Sequence, residues 1–404
     1  MRAVEASLLA WRALGRHRTW GQALRAEAPD LESCERPLAE SLLFRALRRR
    51  ALWLFLTSRL SRRGIRELSP STGDALIIGL AGVVEMPLMT PRSLVNAFVQ
   101  RLSLQGEAGG ARLVNGLLRR CHEEGIGHLS KLRESGDLRD QALLCGFPDE
   151  GLSALRDSWG VHEARRLMKL LAMRPSLSFR VTGDPSVSEL RLWPSPHVKG
   201  LWRSSALLSD GLPSSYVSQS ESSARLLPYL QERLSGREGF CFGKPQEEGR
   251  LLSPRGQVLP LWSGDEGAIP RGFRKASLPT EPLPWIFVEP SCSESGCWAR
   301  LPERKWAFRR NRLVELAREQ EELLSTALDH LLPGGVAIYR TRSLFKEENE
   351  QVVARVLAAR RDSVEWAVDL PRDLARRGRP WGYYVLPESP WADGTFVAVL
   401  VRRS

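Results

Sequence analysis

Apolar residues in the first 140 positions recur at helical spacing. Between Ala39 and Leu60 the repeat falls on Leu43, Leu47, Leu54 and Phe55, with Arg48, Arg49 and Arg50 between them. Asp74–Val84 is a second apolar run, closed by Pro87 and Pro91, and Ser93–Leu104 is a third. Arg112–His122 is a fourth, carrying Leu113, Val114, Leu117 and Leu118. No strand pattern interrupts these runs, so residues 1–140 are expected to form a small all-helical domain. Residues 141–205 change character. Asp149–Leu170 predicts two short helices, Pro175–Val181 alternates as a half-buried strand does, and His197–Arg203 has no regular pattern. This stretch predicts a small α+β connector. From 206 to 404, helical and strand patterns alternate. Helices are expected at Ser222–Leu234, Arg310–Leu332 and Asn349–Arg360, and strands at Pro284–Val288, Val336–Tyr339 and Phe396–Val401. That order predicts an α/β layer with a parallel sheet.

One segment breaks the pattern. Gly243–Trp285 has 7 prolines and 6 glycines in 43 residues. Proline costs roughly 3 kcal/mol and glycine roughly 1 kcal/mol in a helix interior. Two crossover helices hardly fit here, so this half of the sheet is expected to be thinly covered or incomplete.

Composition adds a direction. The 404 residues exceed one ordinary core and imply two or three domains. No run of 18 apolar residues is present, which excludes a helical membrane span, and Ser7–Trp11 is too short for a signal peptide. Six scattered cysteines without a CxxC pair argue against a disulfide framework or structural zinc, and make a reducing cytosol the expected compartment. The six histidines show no ligand spacing, so no metal is expected. Net charge is +12. Met1–Arg66 alone carries 14 arginines, no lysine and 6 acidic residues, a local balance of +8. Arginine makes planar, bidentate contacts to phosphate, so this region suits RNA; a solvated helix face is the plainer alternative.

Several segments, in order, resemble the Nop/Sun RNA (cytosine-5) methyltransferases, in particular the bacterial RsmB-like members. Val114–Arg120 looks like the family's VNGVLRR, and Arg174–Val181 resembles its PPLTLRVN strand. Tyr216–Ser223 is similar to xVQDEASQ, and Ala299–Trp306 to RRHPDIKW. Leu332–Gly335 and Ser343–Gln351 match the region around motif VI, and Asp393–Ala398 resembles the last strand, DGFFVA. The resemblance implies a NusB-like helical RNA-binding domain over 1–140, a connector over 141–205, and a Rossmann-like class I methyltransferase domain with an eroded first half over 206–404. It implies S-adenosylmethionine as cofactor, small-subunit ribosomal RNA as partner and a cytoplasmic monomer. Arg48, Arg49, Arg50, Arg119, Arg120, Arg180, Gln219, Arg300 and Lys305 are the expected RNA contacts.

Methylation at cytosine C5 needs a thiolate to add at C6, because C5 is otherwise a poor nucleophile. In the family that thiolate lies in the TCS of motif VI; here the tripeptide is Thr341-Arg342-Ser343, and arginine cannot attack carbon. The release cysteine belongs to motif IV, DAPCSGxG, here Glu289–Gly296. Cys292 is kept, Glu289 replaces aspartate and Glu294 replaces glycine. The cofactor loop, DLCAAPGGKT, is reduced to Gly239–Pro245, leaving Cys241, Gly243 and Lys244 as cofactor candidates, with Asp265 and Glu266 as ribose candidates by proximity. Cys292 reads as a buried remnant or as a substitute nucleophile. Arg342 suits an RNA phosphate, or a pair with Glu289 or Glu294. Trp298 and Trp306 suit base stacking or core packing; Cys241 and Cys297 suit the core. These losses point to an RNA-binding protein with lost or impaired methyl transfer. The alternative is an active 16S rRNA cytosine-C5 methyltransferase using Cys292.

Overall fold

The computed structural model describes all residues except 1, 18, 62–63, 87–88, 182–191, 205–215, 235–239, 244–259, 262–280, 366–369, 390–391 and 404. The chain divides into two compact units. The first holds Met1–Met173 and Trp298–Ala307; the second holds Arg174–Ala206, Leu212–Cys297 and Phe308–Ser404.

The first unit is helical throughout its described residues. Its helices are α1 (Arg2–Ala13), α2 (Trp20–Glu27), α3 (Arg36–Arg48), α4 (Arg50–Leu60), α5 (Pro70–Glu85), α6 (Pro91–Leu104), α7 (Ala108–Glu134), α8 (Leu138–Leu144) and α9 (Asp149–Leu171). Their starts are written in the sequence. Ser69 and Thr90 accept hydrogen bonds from Thr72 N and Ser93 N, and each is followed by proline at the first helical position. α5 is buried on nearly every face from Ala75 to Val83 and forms the centre of the unit. The core includes Leu43, Trp53, Leu76, Phe98 and Leu118.

The stretch Ala39–Leu60 is two helices, not one. The chain turns at Arg49 (φ −120°, ψ 32°), and the freed carbonyls of α3 are taken by side chains. Trp53 Nε1 donates to Arg45 O at 3.2 Å, Trp306 Nε1 to Leu47 O at 2.7 Å and Lys305 Nζ to Arg48 O at 2.8 Å. Indole and ammonium donors at a helix C-terminus satisfy groups that would otherwise be orphaned in the core. Gly146 lies against the turn. A Cβ there would meet Arg49 Cα at 2.2 Å, and its φ of +65° also calls for glycine. α9 carries a break at Gly160 (φ 73°, ψ 170°), which yields the two shorter helices expected.

The second unit contains two sheets. The smaller is antiparallel, in the order β2-β3-β1-β4, formed by β1 (Leu177–Val181), β2 (Trp193–Pro194), β3 (Leu201–Ser204) and β4 (Tyr216–Ser218). His197–Arg203, expected to be irregular, thus includes most of a strand. Leu201 and Arg203 face inward and Arg180 pairs with Leu201, a pattern too short to see in four residues. The larger sheet has eight strands. β5 (Phe240–Gly243), β6 (Pro260–Leu261), β7 (Leu283–Glu289) and β8 (Leu331–Thr341) are parallel, in the order β6-β5-β7-β8. β9 (Ser363–Glu365), β10 (Arg376–Arg377), β11 (Tyr383–Val385) and β12 (Thr395–Arg402) complete it. The expected wholly parallel sheet is therefore mixed: β12 runs antiparallel to β8, because β9 and β11 return the chain before it pairs. β7 is buried from Trp285 to Glu289 on successive residues, as a central strand must be. Helix α10 (Glu221–Leu234) packs Leu226 and Leu230 with Trp285, Phe287, Ile338 and Val399. Most of the Pro/Gly-rich segment, including Lys244, Asp265 and Glu266, lies outside the described residues.

Candidate active site

β7 and β8 are adjacent and parallel, with Val288 opposite Tyr339, so their following loops leave from the same sheet edge. In doubly wound folds that edge is where ligands bind. The first loop carries Cys292 and the second begins at Arg342.

A buried carboxylate joins the loops. Glu348 is fully buried; its Oε1 accepts from Ser293 N at 2.8 Å and from Gln320 Nε2 at 3.1 Å, and its Oε2 accepts from Ser343 Oγ. One side chain thus holds the residue after Cys292 and the residue after Arg342. Gln320 also donates to Ser291 O at 2.8 Å, and Tyr339 OH donates to Glu348 O at 2.6 Å. Asn349 Nδ2 reaches Ser343 O at 2.9 Å while its Oδ1 accepts from Thr341 Oγ1. Backbone bonds close the frame: Gly296 N to Arg342 O at 2.8 Å, and Gly394 N to Gly296 O at 2.9 Å. A Cβ on Gly296 would meet Gly394 O at 2.1 Å, so no larger residue fits. Burial pushes the Glu348 carboxyl above its ordinary range, and the hydrogen bonds from Ser293, Ser343 and Gln320 pull it back only in part.

Inside this frame Arg342 Nε lies 3.4 Å from Glu289 Oε1, with the two side chains 14% and 5% exposed. Of the roles open to Arg342, the geometry is that of the internal pair. Cys292 is partly exposed and takes part in no disulfide; Cys297 is buried. Glu294 adopts φ +53°, the one non-glycine residue with positive φ among the described residues. Cys241 and Gly243 lie on β5, with Gly243 opposite Glu289.

The expected RNA contacts separate by burial. Arg119 and Arg120 are exposed, although Arg120 also donates to Leu60 O at 2.9 Å. Arg180 and Arg300 are half-buried, and Arg180 Nε donates to Gln219 Oε1 at 2.7 Å. Arg48, Gln219 and Lys305 are interior. Arg48 and Arg49 meet Glu85 at 2.7 and 3.0 Å, and Arg50 stacks over Trp11 and Trp306 at 5.3 and 5.5 Å. Arg49 and Arg50 themselves are half-buried. Trp298 is fully buried and packs on Phe147 at 5.9 Å, the core alternative for that residue.

Sequence reasoning missed Glu348, Asn349 and Gln320. Gln320 left a trace: it sits between Ala317 and Leu324 on the buried stripe of the helix Arg312–Asp329. A polar residue on an apolar stripe signals a buried partner.

Two family models match separate parts of the chain: the NusB family over residues 3–123, and the 16S rRNA methyltransferase RsmB/F over residues 273–401. The chain joins a NusB-family region to an RsmB/F-type methyltransferase region. Curated relatives include the Ribosomal RNA small subunit methyltransferase B of Klebsiella pneumoniae (strain 342), 35% identical over 118 residues. The protein of that name from Enterobacter sp. (strain 638) is 34% identical over 118 residues. Each match covers 29% of this chain and 26% of the relative, so it spans about a quarter of the relatives' length. The crystal structure of PH0851 superposes with a TM-score of 0.76 at 17% identity, over 99% of this chain and 98% of that one, which shows a shared fold. The RsmB/F region contains β7, β8 and the whole Glu348 frame. Methyltransferases of this family depend on S-adenosylmethionine. Among the described residues no cluster of three or more His, Cys, Asp or Glu is placed to hold a metal, and no helix is long and apolar enough to cross a membrane.

Proposed function

We propose that this chain binds RNA, with small-subunit ribosomal RNA the expected class, and that its methyl transfer is lost or impaired. The observation that carries this reading is the Arg342–Glu289 pair, set where the RsmB-like pattern has its attacking thiol and its acidic residue. The surrounding frame is complete, so the substitution sits in an ordered loop and not in a collapsed one.

S-adenosylmethionine fits the described residues poorly. Its reactive centre is a sulfonium cation, and a largely buried guanidinium beside the same strand ends repels it. Glu289, the nearby carboxylate, is already engaged by that guanidinium. Support for RNA binding comes from the net charge of +12 and from Arg119 and Arg120 at the surface, with Arg180 and Arg300 half-exposed. A cytoplasmic monomer is part of the same proposal.

The alternative is an active cytosine-C5 methyltransferase in which Cys292 attacks C6. Its partial exposure, and a thiol not tied up in a disulfide, favour that reading. Calorimetry with S-adenosylmethionine on the purified chain separates the two: no heat is expected, whereas micromolar binding supports the enzyme. Transfer of label to RNA that disappears in Cys292→Ala would overturn the proposal. Filter binding across salt concentrations checks the RNA half. A log–log slope of about −0.7 per neutralised phosphate is expected for single strands, and a flat profile counts against phosphate contacts.

A further inference from the structure

The segment Trp298–Ala307 begins directly after Cys297 and belongs to the helical unit, while the residues on either side of it belong to the other unit. It is a ten-residue strap. Trp298 packs at a tilt against Phe147 and lies over Gly151, Trp20 Nε1 donates to Arg300 O at 3.4 Å, and Trp306 Nε1 donates to Leu47 O at 2.7 Å. Its charged residue at the bottom is Lys305, which has no exposed surface.

The surroundings of Lys305 lack a counter-charge. Its Nζ donates a hydrogen bond to Arg48 O and lies 4.5 Å from the centroid of the Phe147 ring. Among the described residues no carboxylate pairs with it. The groups that face it are Arg48 at the end of α3, Arg49 at the turn and Cys145 after α8, which itself feels Lys169 of α9. Glu85 of α5 is occupied by Arg45, Arg48 and Arg49 at 3.4, 2.7 and 3.0 Å. On the lysine's own short helix, Pro302–Ala307, Glu303 accepts from Trp20 N. Three guanidinium groups share one carboxylate, and the buried Nε atoms of Arg48 and Arg49 find no acceptor among the described residues. A fourth cation in this cluster has nothing to neutralise it.

We propose that the strap is a proton-linked latch: it seats more tightly when Lys305 enters the helical unit as a neutral amine than when it enters as an ammonium. The balance of forces agrees in direction: burial, opposed by Cys145 and aided by Arg48 and Arg49, lowers the Lys305 ammonium to about 7. The free strap keeps the ordinary lysine value near 10.5. Between these two values the unseated form carries a proton that the seated form lacks. Seating therefore strengthens as pH rises from about 7 toward 10.5, by up to about tenfold per pH unit, and levels off below about 7. The proposal is independent of whether methyl transfer occurs.

Amide hydrogen exchange of residues 298–307 in the full chain tests this, with each rate referred to that of an unstructured peptide at the same pH. Protection of the wild-type strap is expected to rise by up to about tenfold per unit between about pH 7 and 9, and to be level in Lys305→Met, which keeps the apolar stem. A level wild-type profile overturns the latch without recourse to a variant. Equal slopes in the two proteins overturn it as well, since the titrating group would then lie elsewhere.

Discussion

Glu348 in the sheet unit and Glu85 in the helical unit are both buried carboxylates, yet their surroundings differ in kind. Glu348 is met by neutral donors: a backbone N–H, a serine hydroxyl and a glutamine amide. Glu85 is met by three guanidinium groups. Burial pushes the Glu348 carboxyl up, and neutral donors, which fix direction, offset that only in part. Three cations around one carboxylate leave the cluster positive, and the neighbour that can still lose a proton is Lys305, lowered first by its own burial and then further by Arg48 and Arg49. The first arrangement suits holding two loops in register. The second suits a contact that responds to protons.

The sharpest way to break this comparison is to remove Glu348. Glu348→Ala strands Ser293 N, the Ser343 hydroxyl and the Gln320 amide inside a dry frame. At about 1 kcal/mol for each lost bond, a destabilisation of about 3 kcal/mol is expected in denaturant unfolding. A value near zero would mean that the frame is held elsewhere. Glu348→Gln keeps the shape and removes the charge, and pH then discriminates. Because the folded carboxyl lies above its unfolded value of 4.5, the folded state holds the extra proton, so stability from this group falls as pH rises above 4.5. That downward slope is expected in wild type and absent in Glu348→Gln. It is opposite in sign to the Lys305 effect and sets in at a lower pH, above 4.5.

A smaller effect tests whether the Arg342–Glu289 pair resembles either cluster. A double-mutant cycle with Arg342→Ala and Glu289→Ala is expected to give a coupling of about 2 kcal/mol, because both side chains are largely buried. A coupling near zero would show that the two groups merely share the edge of the sheet, and would remove the main support for a site closed by its own residues.

The fold was legible where periodicity ran long. α5, α6, β7 and β12 fall within a few residues of their apolar runs. The break at Arg49 was not legible, because the groups that stabilise it, Lys305 and Trp306, come from some 250 residues away. The same distance hid the ion pairs of the arginine run: local charge suggested a polyanion surface, and the pairing of Arg48 and Arg49 with Glu85 could not be read from it. Of the parallel strands, β7 and β8 were readable as apolar runs and β5 and β6 were not; β10 and β11 are only two and three residues long and carry no pattern. At the site, the replaced residues Arg342 and Glu294 could be located by their flanking motifs. The frame that holds them could not, because Ser343, Glu348 and Asn349 look like ordinary loop residues until the two strands bring their loops together.

Glu294 offers the finest test of that difference between frame and reacting groups. It stands where motif IV of the resembling family has glycine, and its φ of +53° explains why glycine suits the place. A left-handed backbone costs an L-residue roughly 1–2 kcal/mol, and glycine adopts it freely. Comparing Glu294→Gly with Glu294→Ala removes the carboxylate from both and leaves only the backbone effect. The glycine variant is expected to be about 1 kcal/mol more stable than the alanine variant in denaturant unfolding. If alanine were equal or better, the loop would have relaxed away from the left-handed turn. The frame anchored by Glu348 would then tolerate a change of backbone that its hydrogen bonds, at Ser293 N on one side and Gly296 N on the other, argue against.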